Sequence, residues 1–378
     1  MFARKIFTEE QEHFRDTVAK FIKKEIVPNH YEWENKGVVP KYVWLEAGEK
    51  GILCPGIPKE YGGINGDFRF NVIVTEELAK AGASGPGFTV HSDIVAPYII
   101  NYCNEEQKRK ILPSMLKGET ITAIAMTEPG TGSDLQNIKT RALIEGNKVK
   151  LNGSKTFITN GQNANLVLVV AKTDISKRAK GISIILCESN RDGFKRGKNL
   201  KKIGMKAQDT SELFFEDISL PIENIMGEKG QGFSQLMDEL PQERLSIAIT
   251  AIAAAQAAFD WTITYTRERE AFGKKIIDFQ NTKFILAALK TELNVARAYL
   301  DRCIKEHIND NFSAEDGAMA KLWTTELQFK VLDQCLQLHG GYGYMQEYPI
   351  ARAFTDSRVQ RIYGGTNEVM KEIISRNL

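Results

Sequence analysis

The spacing of apolar residues changes twice along this chain of 378 residues. Up to about Gly118 they recur every three or four positions, then they alternate with polar residues in short runs, and from about Gly230 the helical spacing returns. A period of 3.6 residues indicates helices and a period of two indicates strands. The sequence therefore predicts an α+β multidomain fold with an N-terminal α-helical domain (1–118), a middle antiparallel β-barrel or sandwich domain (119–229) and a C-terminal four-helix bundle (230–378).

Capping residues and turn dipeptides refine this order. Thr8 and Gln11 form a possible capping box for the first helix, and Pro28 predicts its end. Further N-terminal helices are predicted at 42–50, 71–81, 92–102 and 105–116. Strands are predicted at 120–126, 141–144, 148–151, 156–159, 166–171, 182–187 and 212–215. Turns are predicted between them at Gly146-Asn147, Asn152-Gly153 and Asn160-Gly161.

Composition narrows the class of protein. Hydrophobic residues make up 42% and charged residues 26%, and the formal net charge is +2, as in an ordinary globular protein. We expect no nucleic-acid partner and no stable membrane insertion. The five scattered cysteines form no Cys-x-x-Cys pair, which argues against disulfides and a metal site and favours a reducing compartment. Because the N-terminus lacks a signal-peptide pattern, we predict a cytoplasmic protein, although a processed organellar form would look the same.

One long helix contains both a proline and a carboxylate. Helical spacing runs from Gly232 to about Tyr265, with Pro241 in its interior, so we expect a kink there that exposes backbone between Leu240 and Arg244. A kink is a good place to bind a ligand. Glu243 beside it has two interpretations, a catalytic base or a solvated surface residue, and in isolation the second is favoured because charged residues are mostly exposed.

Other stretches suggest a cofactor. Ala125-Met-Thr-Glu-Pro-Gly-Thr-Gly-Ser-Asp134 leaves a strand in a loop of glycines and hydroxyls, which suits either close approach to a phosphate or an ordinary turn. Phe157 and Thr159 lie on one side of a strand, where a ring could stack on a ligand while a hydroxyl donates to it. The alternative is half of a hairpin face. The glycines of Gln337-Leu-His-Gly-Gly-Tyr-Gly343 suit a helix C-cap equally well.

Together and in this order, the motifs resemble those of the acyl-CoA dehydrogenase family over essentially the whole chain. The matching motifs are Thr127-Glu-Pro-Gly-Thr-Gly-Ser-Asp134, Phe157-Ile-Thr-Asn-Gly161, Arg269-Glu-Ala-Phe-Gly273, Gln337-Leu-His-Gly-Gly-Tyr-Gly343 and Tyr363-Gly-Gly-Thr366. The resemblance implies a helical, β and helical domain order, FAD as cofactor and acyl-CoA as substrate. It also implies an electron-transferring flavoprotein as acceptor and a homotetramer built as a dimer of dimers.

The resemblance also implies which residues bind. The residues that contact FAD would be Thr127, Ser133, Phe157, Ile158, Thr159, Thr366, Asn367 and Glu368. A neighbouring subunit would add Arg269, Gln280, Gln337, Leu338, His339, Gly340 and Gly341. Those on the substrate would be Ser133, on the CoA moiety, with Gln242, Arg244, Gly364 and Gly365.

A departure from the family pattern identifies the expected base. Many members carry a catalytic glutamate in Tyr-Glu-Gly-Thr, but here the motif reads Tyr363-Gly364-Gly365-Thr366. Leu-Pro-Gln-Glu-Arg-Leu, ending at Leu245, resembles the long-chain subgroup, which places the base on the helix. The implied reaction is FAD-dependent dehydrogenation to a trans-2-enoyl-CoA, in which Glu243 removes the α-proton and flavin N5 takes the hydride.

Two other functions remain open on the sequence. A flavin oxidase of the same fold would act on a substrate that is not a CoA ester and would reduce oxygen directly. A non-catalytic relative that binds flavin and DNA would need an excess of basic surface charge, which a net charge of +2 does not supply.

Overall fold

The computed structural model describes residues 4–376 and 378 and has helices first, strands in the middle and helices again at the end. The predicted fold class is confirmed. The N-terminal helices are α1 (Glu9–Phe21), α2 (His30–Lys36), α3 (Lys41–Glu49), α4 (Phe68–Lys80), α5 (Ala96–Tyr102) and α6 (Glu105–Leu116). A π-helical turn, Val90–Val95, leads directly into α5.

The first helix begins as predicted but does not end as predicted. The Thr8 hydroxyl accepts from the backbone N–H of Gln11 while the Gln11 side chain accepts from the Thr8 N–H, which is the capping box. At the other end, the chain continues through a π-helical turn (Ile22–Ile26) and a 3₁₀ turn (Val27–Asn29) into α2. Pro28 therefore lies at the start of a new turn, where its missing N–H costs nothing, and the stop predicted there was wrong.

The middle part forms one seven-stranded sheet. Its strands are β1 (Thr122–Ala125), β2 (Arg141–Glu145), β3 (Lys148–Thr159), β4 (Leu166–Lys172), β5 (Ile182–Glu188), β6 (Phe194–Asn199) and β7 (Thr210–Pro221). They are ordered β1-β4-β2-β3-β7-β6, with β5 on β4. Most neighbours are antiparallel, but β1 and β4 pair in parallel, so the sheet is mixed rather than purely antiparallel.

Two details of the strand prediction were wrong. Asn152-Gly153 is not a turn, because it lies inside β3, where the register with β7 shifts and Gly153 has a φ of +150°. The two strands expected around it are therefore one. No sequence pattern indicated β6, an edge strand in which half of the residues are charged and half are exposed.

The C-terminal part contains three long helices, α7 (Gly232–Glu268), α8 (Gln280–Ile308) and α9 (Ala314–His339). In the described residues there is no fourth long helix. Two nine-residue helices, α10 (Pro349–Ser357) and α11 (Asn367–Ser375), pack beside the three long ones instead. A short hairpin of β8 (Glu270–Ala271) and β9 (Lys274–Lys275) follows α7. Helices α7 and α9 are parallel, because Pro241 lies beside Gly317 and Tyr265 beside His339.

Pro241 does not interrupt α7, which is helical throughout its 37 residues. A Cβ added to Gly317 of α9 would lie 3.1 Å from the Cα of Pro241, so α9 packs closely against this turn. That packing covers backbone that we expected to be exposed. α7 is the one described helix that is long and apolar enough to cross a membrane, and most of that apolar stretch is buried in the protein.

The sheet shares its core with the helices. On β4, Leu168 and Val170 pack with the N-terminal helices, whereas Val167 and Val169 face the interior of the curled sheet. A strand buried on both faces reads as a continuous apolar run, as β4 does. The N-terminal helices therefore have no core of their own separate from β4 and β5.

Candidate active site

Glu243 lies in α7 with its side chain inside the protein, only 5% exposed. Its Oε1 accepts a hydrogen bond of 2.9 Å from the hydroxyl of Tyr98 in α5. Burial raises the pKa of Glu243 to about 7, while the Tyr98 hydrogen bond acts in the opposite direction. A carboxyl with that pKa is well suited to general-base catalysis near neutral pH.

A second buried carboxylate lies one turn earlier on the same helix. Glu239 accepts a 2.7 Å hydrogen bond from Asn101 Nδ2, and burial raises its pKa as well. Its charge also helps to raise the pKa of Glu243. Each of the two carboxylates is thus held by a donor from α5. No sequence pattern indicated Tyr98, Asn101 or Glu239, because their partners are about 140 residues away in the chain.

The Gly364-Gly365 turn lies beside the helix turn that carries Glu243. Arg244 Nε donates to the carbonyl of Gly364 at 3.3 Å, and Lys321 Nζ donates to the carbonyl of Gly365 at 2.8 Å. Both glycines have positive φ, +65° and +92°. Among the described residues no group accepts from either glycine N–H. The structure therefore brings Glu243, Arg244 and this turn together, with two free backbone donors.

Lys321, which belongs to none of the sequence motifs, is fully buried in α9. Burial and the nearby charge of Arg244 lower its pKa to about 8. Its Nζ also donates to Asn367 Oδ1 at 2.8 Å, while Asn367 Nδ2 donates to Glu326 Oε1 at 2.7 Å. The Asn367 side chain is therefore committed to joining α11 to α9, and the cofactor role predicted for it could involve only its backbone.

The neighbours of Asn367 are placed differently. Thr366 caps α11, with its hydroxyl accepting from the N–H of Val369. Glu368 is exposed in the first turn of α11.

Gln242, predicted to bind substrate, is turned away from Glu243. Its Nε2 donates to the backbone carbonyl of Asp93 at 2.6 Å, and its Oε1 lies 2.8 Å from His307 Nε2. Ser246 Oγ donates to the Asp93 carboxylate on the same side of the helix. Consecutive residues of a helix point about 100° apart, so the side chains of Gln242 and Glu243 lie on different faces of α7. Gln242 anchors α7 to the N-terminal helices and α8.

The loop after β1 is fixed by a buried ion pair. Glu128 accepts from Lys155 Nζ at 2.9 Å and from the backbone N–H groups of Lys139 and Thr140. The Thr127 carbonyl accepts from the N–H of Thr156 at 2.9 Å, which places half-buried Thr127 next to β3. Ser133, further along the loop, is exposed.

The end of β3 presents an aromatic ring on the surface. Phe157 is 67% exposed and has a φ of +60°, while Thr159 is half-buried. Ile158 points the other way, into the interior of the sheet, so only its backbone can contact a ligand there. Thr127 therefore lies next to Thr156 at the end of β3, which is close in the chain to Phe157 and Thr159.

The remaining predicted residues gather at the far end of the bundle. Arg269, Gln280 and Gln337 are all exposed there, and the Arg269 guanidinium lies 5.5 Å from the ring centre of Tyr342. The hydroxyl of Tyr265 donates to the His339 carbonyl at 3.1 Å, which closes the end of α9 against α7.

Two of these residues face inward. The His339 ring is buried, stacks on Tyr265 at 4.3 Å and lies 2.8 Å from the Cys335 carbonyl through Nδ1. Leu338 packs against the bundle core. A Cβ added to Gly340 or Gly341 would meet no atom within 4 Å, so nothing in this protein chain requires glycine there for lack of space.

Two groups of predicted cofactor residues are thus separated in one chain. Arg269 follows the last residue of α7, and Glu243 lies about 38 Å away along that helix, since an α-helix rises 1.5 Å per residue. The exposed ring of Phe157, the hydroxyls of Thr127 and Thr159 and the open glycines fit a planar ring system with phosphates.

Comparison with known proteins agrees with this geometry. The chain matches three domain models: "Acyl-CoA dehydrogenase, N-terminal domain" over residues 8–119, "middle domain" over 123–218 and "C-terminal domain" over 230–378. It is 50% identical to the mitochondrial long-chain specific acyl-CoA dehydrogenase of Mus musculus, over 99% of this chain and 88% of that one.

Solved structures are similar over nearly the full length. An acyl-CoA dehydrogenase from Geobacillus kaustophilus has a TM-score of 0.97 and 47% identity, covering 99% of both chains. A glutaryl-CoA dehydrogenase from Mycobacterium smegmatis in complex with FADH₂ has a TM-score of 0.92 and 27% identity, covering 99% of this chain and 95% of that one.

The domain order of helices, sheet and helices, with a buried carboxylate beside a backbone turn, thus defines this protein as a flavin-dependent dehydrogenase. The chain belongs to the acyl-CoA dehydrogenase family, whose members bind FAD and oxidise acyl-CoA thioesters.

Proposed function

We propose that this enzyme is a dehydrogenase of the long-chain type in which Glu243 takes the α-proton of the acyl-CoA. The observation that carries this is the environment of Glu243: a buried carboxylate with a pKa of about 7 and one neutral hydrogen-bond donor. Position 364, the alternative place for the base in the family, holds glycine. The enzyme's 50% identity to a long-chain specific relative supports the substrate class.

The residues around Glu243 divide the reaction between them. Removing a proton next to a thioester leaves negative charge on the thioester oxygen, which needs donors where the charge develops. The N–H groups of Gly364 and Gly365 supply them, because Arg244 and Lys321 already hold the carbonyls of the same two residues. Arg244, which we also expect to contact the substrate, and Lys321 thereby position these donors.

FAD, when bound, supplies the acceptor for the hydride that leaves the β-carbon. Thr127, Phe157 and Thr159 would hold the ring end of the cofactor, with Thr366 and Glu368 at the start of α11. Ser133, exposed in the loop after β1, would bind the CoA moiety.

The cofactor site is completed by a second subunit in this proposal. Arg269, Gln280, Gln337, Gly340 and Gly341 lie too far from Glu243 to reach the same flavin within one chain. The same end of the bundle exposes Phe272 almost completely, at 96%. We expect a homotetramer arranged as a dimer of dimers. Light scattering that found a monomer fully loaded with FAD would contradict it.

We propose an electron-transferring flavoprotein as the acceptor of the reduced flavin's electrons, by analogy with the family. We also propose that the enzyme works in the cytoplasm or an organelle matrix, where its five buried, unpaired cysteines would stay reduced.

The test is anaerobic bleaching of bound flavin by acyl-CoAs from short to long, including branched ones. Wild-type enzyme should bleach fastest with long chains. Glu243→Gln should bind FAD and acyl-CoA normally but bleach ~10²–10⁴-fold more slowly, as expected when a general base is lost. Glu239→Gln, which alters a buried carboxylate one turn away, is the matched control and should stay within about tenfold of wild type. Bleaching of Glu243→Gln at the wild-type rate would remove Glu243 from the role.

A further inference from the structure

The carboxylate of Glu243 is held by a side chain from a different part of the molecule. Tyr98 lies in α5, is fully buried and donates from its hydroxyl to Glu243 Oε1 at 2.9 Å. In the described part of the chain no other group donates to Glu243, so Oε2 has no protein partner. We propose that Tyr98 is a positioning residue for the base: it fixes Oε1 and leaves Oε2 as the atom that takes the α-proton. This inference rests on the proposed function of Glu243.

Packing alone does not explain a tyrosine here. The Tyr98 ring belongs to the core formed by the N-terminal helices and lies 6.2 Å from the ring of Tyr102. A phenylalanine ring would fill the same space. A buried hydroxyl without a partner costs about 1–3 kcal/mol, so the hydroxyl is tolerated because Glu243 accepts from it.

The hydrogen bond suits both protonation states of the base. When Oε2 takes a proton, Oε1 becomes the carbonyl oxygen of a neutral carboxyl and still accepts from Tyr98. The donor therefore does not have to move during proton transfer. A lysine in its place, like Lys155 beside Glu128, would favour the ionised carboxylate so strongly that it would make a poor base.

Other charged groups around Glu243 act in known directions. On α7, Glu239 favours the protonated form and Arg244 the ionised form. Tyr102 of α5 lies beside Glu239. Lys321 of α9 lies beside Arg244. The Asp93 carboxylate accepts from Ser246 on the next turn of α7. Tyr98 is the one among them that touches the Glu243 carboxylate, so removing its hydroxyl isolates a single contact.

The test is the pH dependence of anaerobic flavin bleaching in Tyr98→Phe at saturating acyl-CoA. A hydrogen bond to a carboxylate is stronger than one to a neutral carboxyl, so its loss should raise the pH at which the base ionises. We expect the acid limb of the rate profile to move up by about one pH unit. The dissociation constant of the acyl-CoA should change less than about twofold, since Tyr98 does not contact it in this proposal.

Tyr102→Phe is the matched control, because it removes the same hydroxyl one turn later on the same helix. Its partner is Glu239, whose ionised form it favours, so its loss should leave the acid limb in place or shift it slightly to lower pH. If Tyr98→Phe lowered the plateau rate but left the acid limb where it is in wild type, the positioning role would be wrong.

Two further measurements keep the outcome clear. Replacing Tyr98 with 3-fluorotyrosine keeps the ring and strengthens the donor, so the limb should shift to lower pH; no shift would count against the proposal. The Glu243 carboxyl can also be titrated by infrared difference spectra against Glu243→Gln, without turnover. If wild-type enzyme were not bleached by any acyl-CoA, the proposed function would be wrong. The infrared titration would still report whether Tyr98 controls the pKa of Glu243.

Discussion

Glu76 and Glu243 are both buried glutamates on helices, yet their surroundings are opposite. Glu76 of α4 accepts from Arg4 at 2.6 Å, Arg297 at 2.8 Å and Arg15 at 3.0 Å. Burial would raise its pKa, but these three guanidinium groups outweigh it and hold the pKa below the ordinary value. Glu243 has one neutral donor, and burial raises its pKa to about 7.

The difference separates a structural carboxylate from a reactive one. Glu76 joins the N-terminal segment, α1 and α8, and the arginines of these three segments favour its ionised form. Glu243 can exchange its proton, because the chain leaves the cost of its burial uncompensated. Burial alone therefore does not identify a functional carboxylate.

The largest effect on stability is expected for Glu76→Gln. This change leaves three arginines packed around a neutral amide, and breaking a buried ion pair in this way typically costs roughly 3–5 kcal/mol. The free energy of unfolding, measured by chemical denaturation with excess FAD, should fall by about that amount at pH 7. The sign follows from the lowered pKa: the stabilisation is present above the unfolded pKa and is lost as pH falls through the folded one. The gap from wild type should therefore shrink below about pH 4.5.

A smaller effect of opposite sign is expected for Glu243→Gln. The folded pKa is about 7 and the ordinary value is 4.5, so ionising buried Glu243 destabilises the wild-type fold increasingly as pH rises between them. The neutral variant avoids that cost. It should be more stable than wild type by roughly 3 kcal/mol at pH 8 and equal to it near pH 4.5. A variant less stable than wild type at pH 8 would show that Glu243 stabilises the fold and would remove the contrast with Glu76.

The order and type of the elements were predictable because they follow from local apolar spacing. The capping box at Thr8 and the seven predicted strand segments all lie where the pattern indicated. The pattern failed where the fold overrides it. β6 is charged and forms only because β7 offers it an edge, and Asn152-Gly153 is drawn into a long strand by its pairing with β7.

The site was predictable in part. Family motifs pointed to Glu243, Arg244 and Gly364, which the structure brings together. They could not indicate that Gln242 faces Asp93 or that Tyr98 donates to Glu243, because those contacts depend on how distant helices are packed. Side-chain direction within a motif, and any contact made across about 140 residues, lie beyond what spacing in a sequence can give.

The backbone at Gly364 bears on how such enzymes diverge. A side chain there would need the left-handed conformation already present, with φ of +65°, and its Cβ would lie 2.4 Å from Ile247 Cδ1. Ile247 would have to move or become smaller. A lineage that transferred the base from 243 to 364 one substitution at a time would pass through a protein with no carboxylate or with two. The first lacks its base, and in the second like charges oppose each other's ionisation. If Glu243 is the base as proposed, a single change at either position would therefore not move it to position 364.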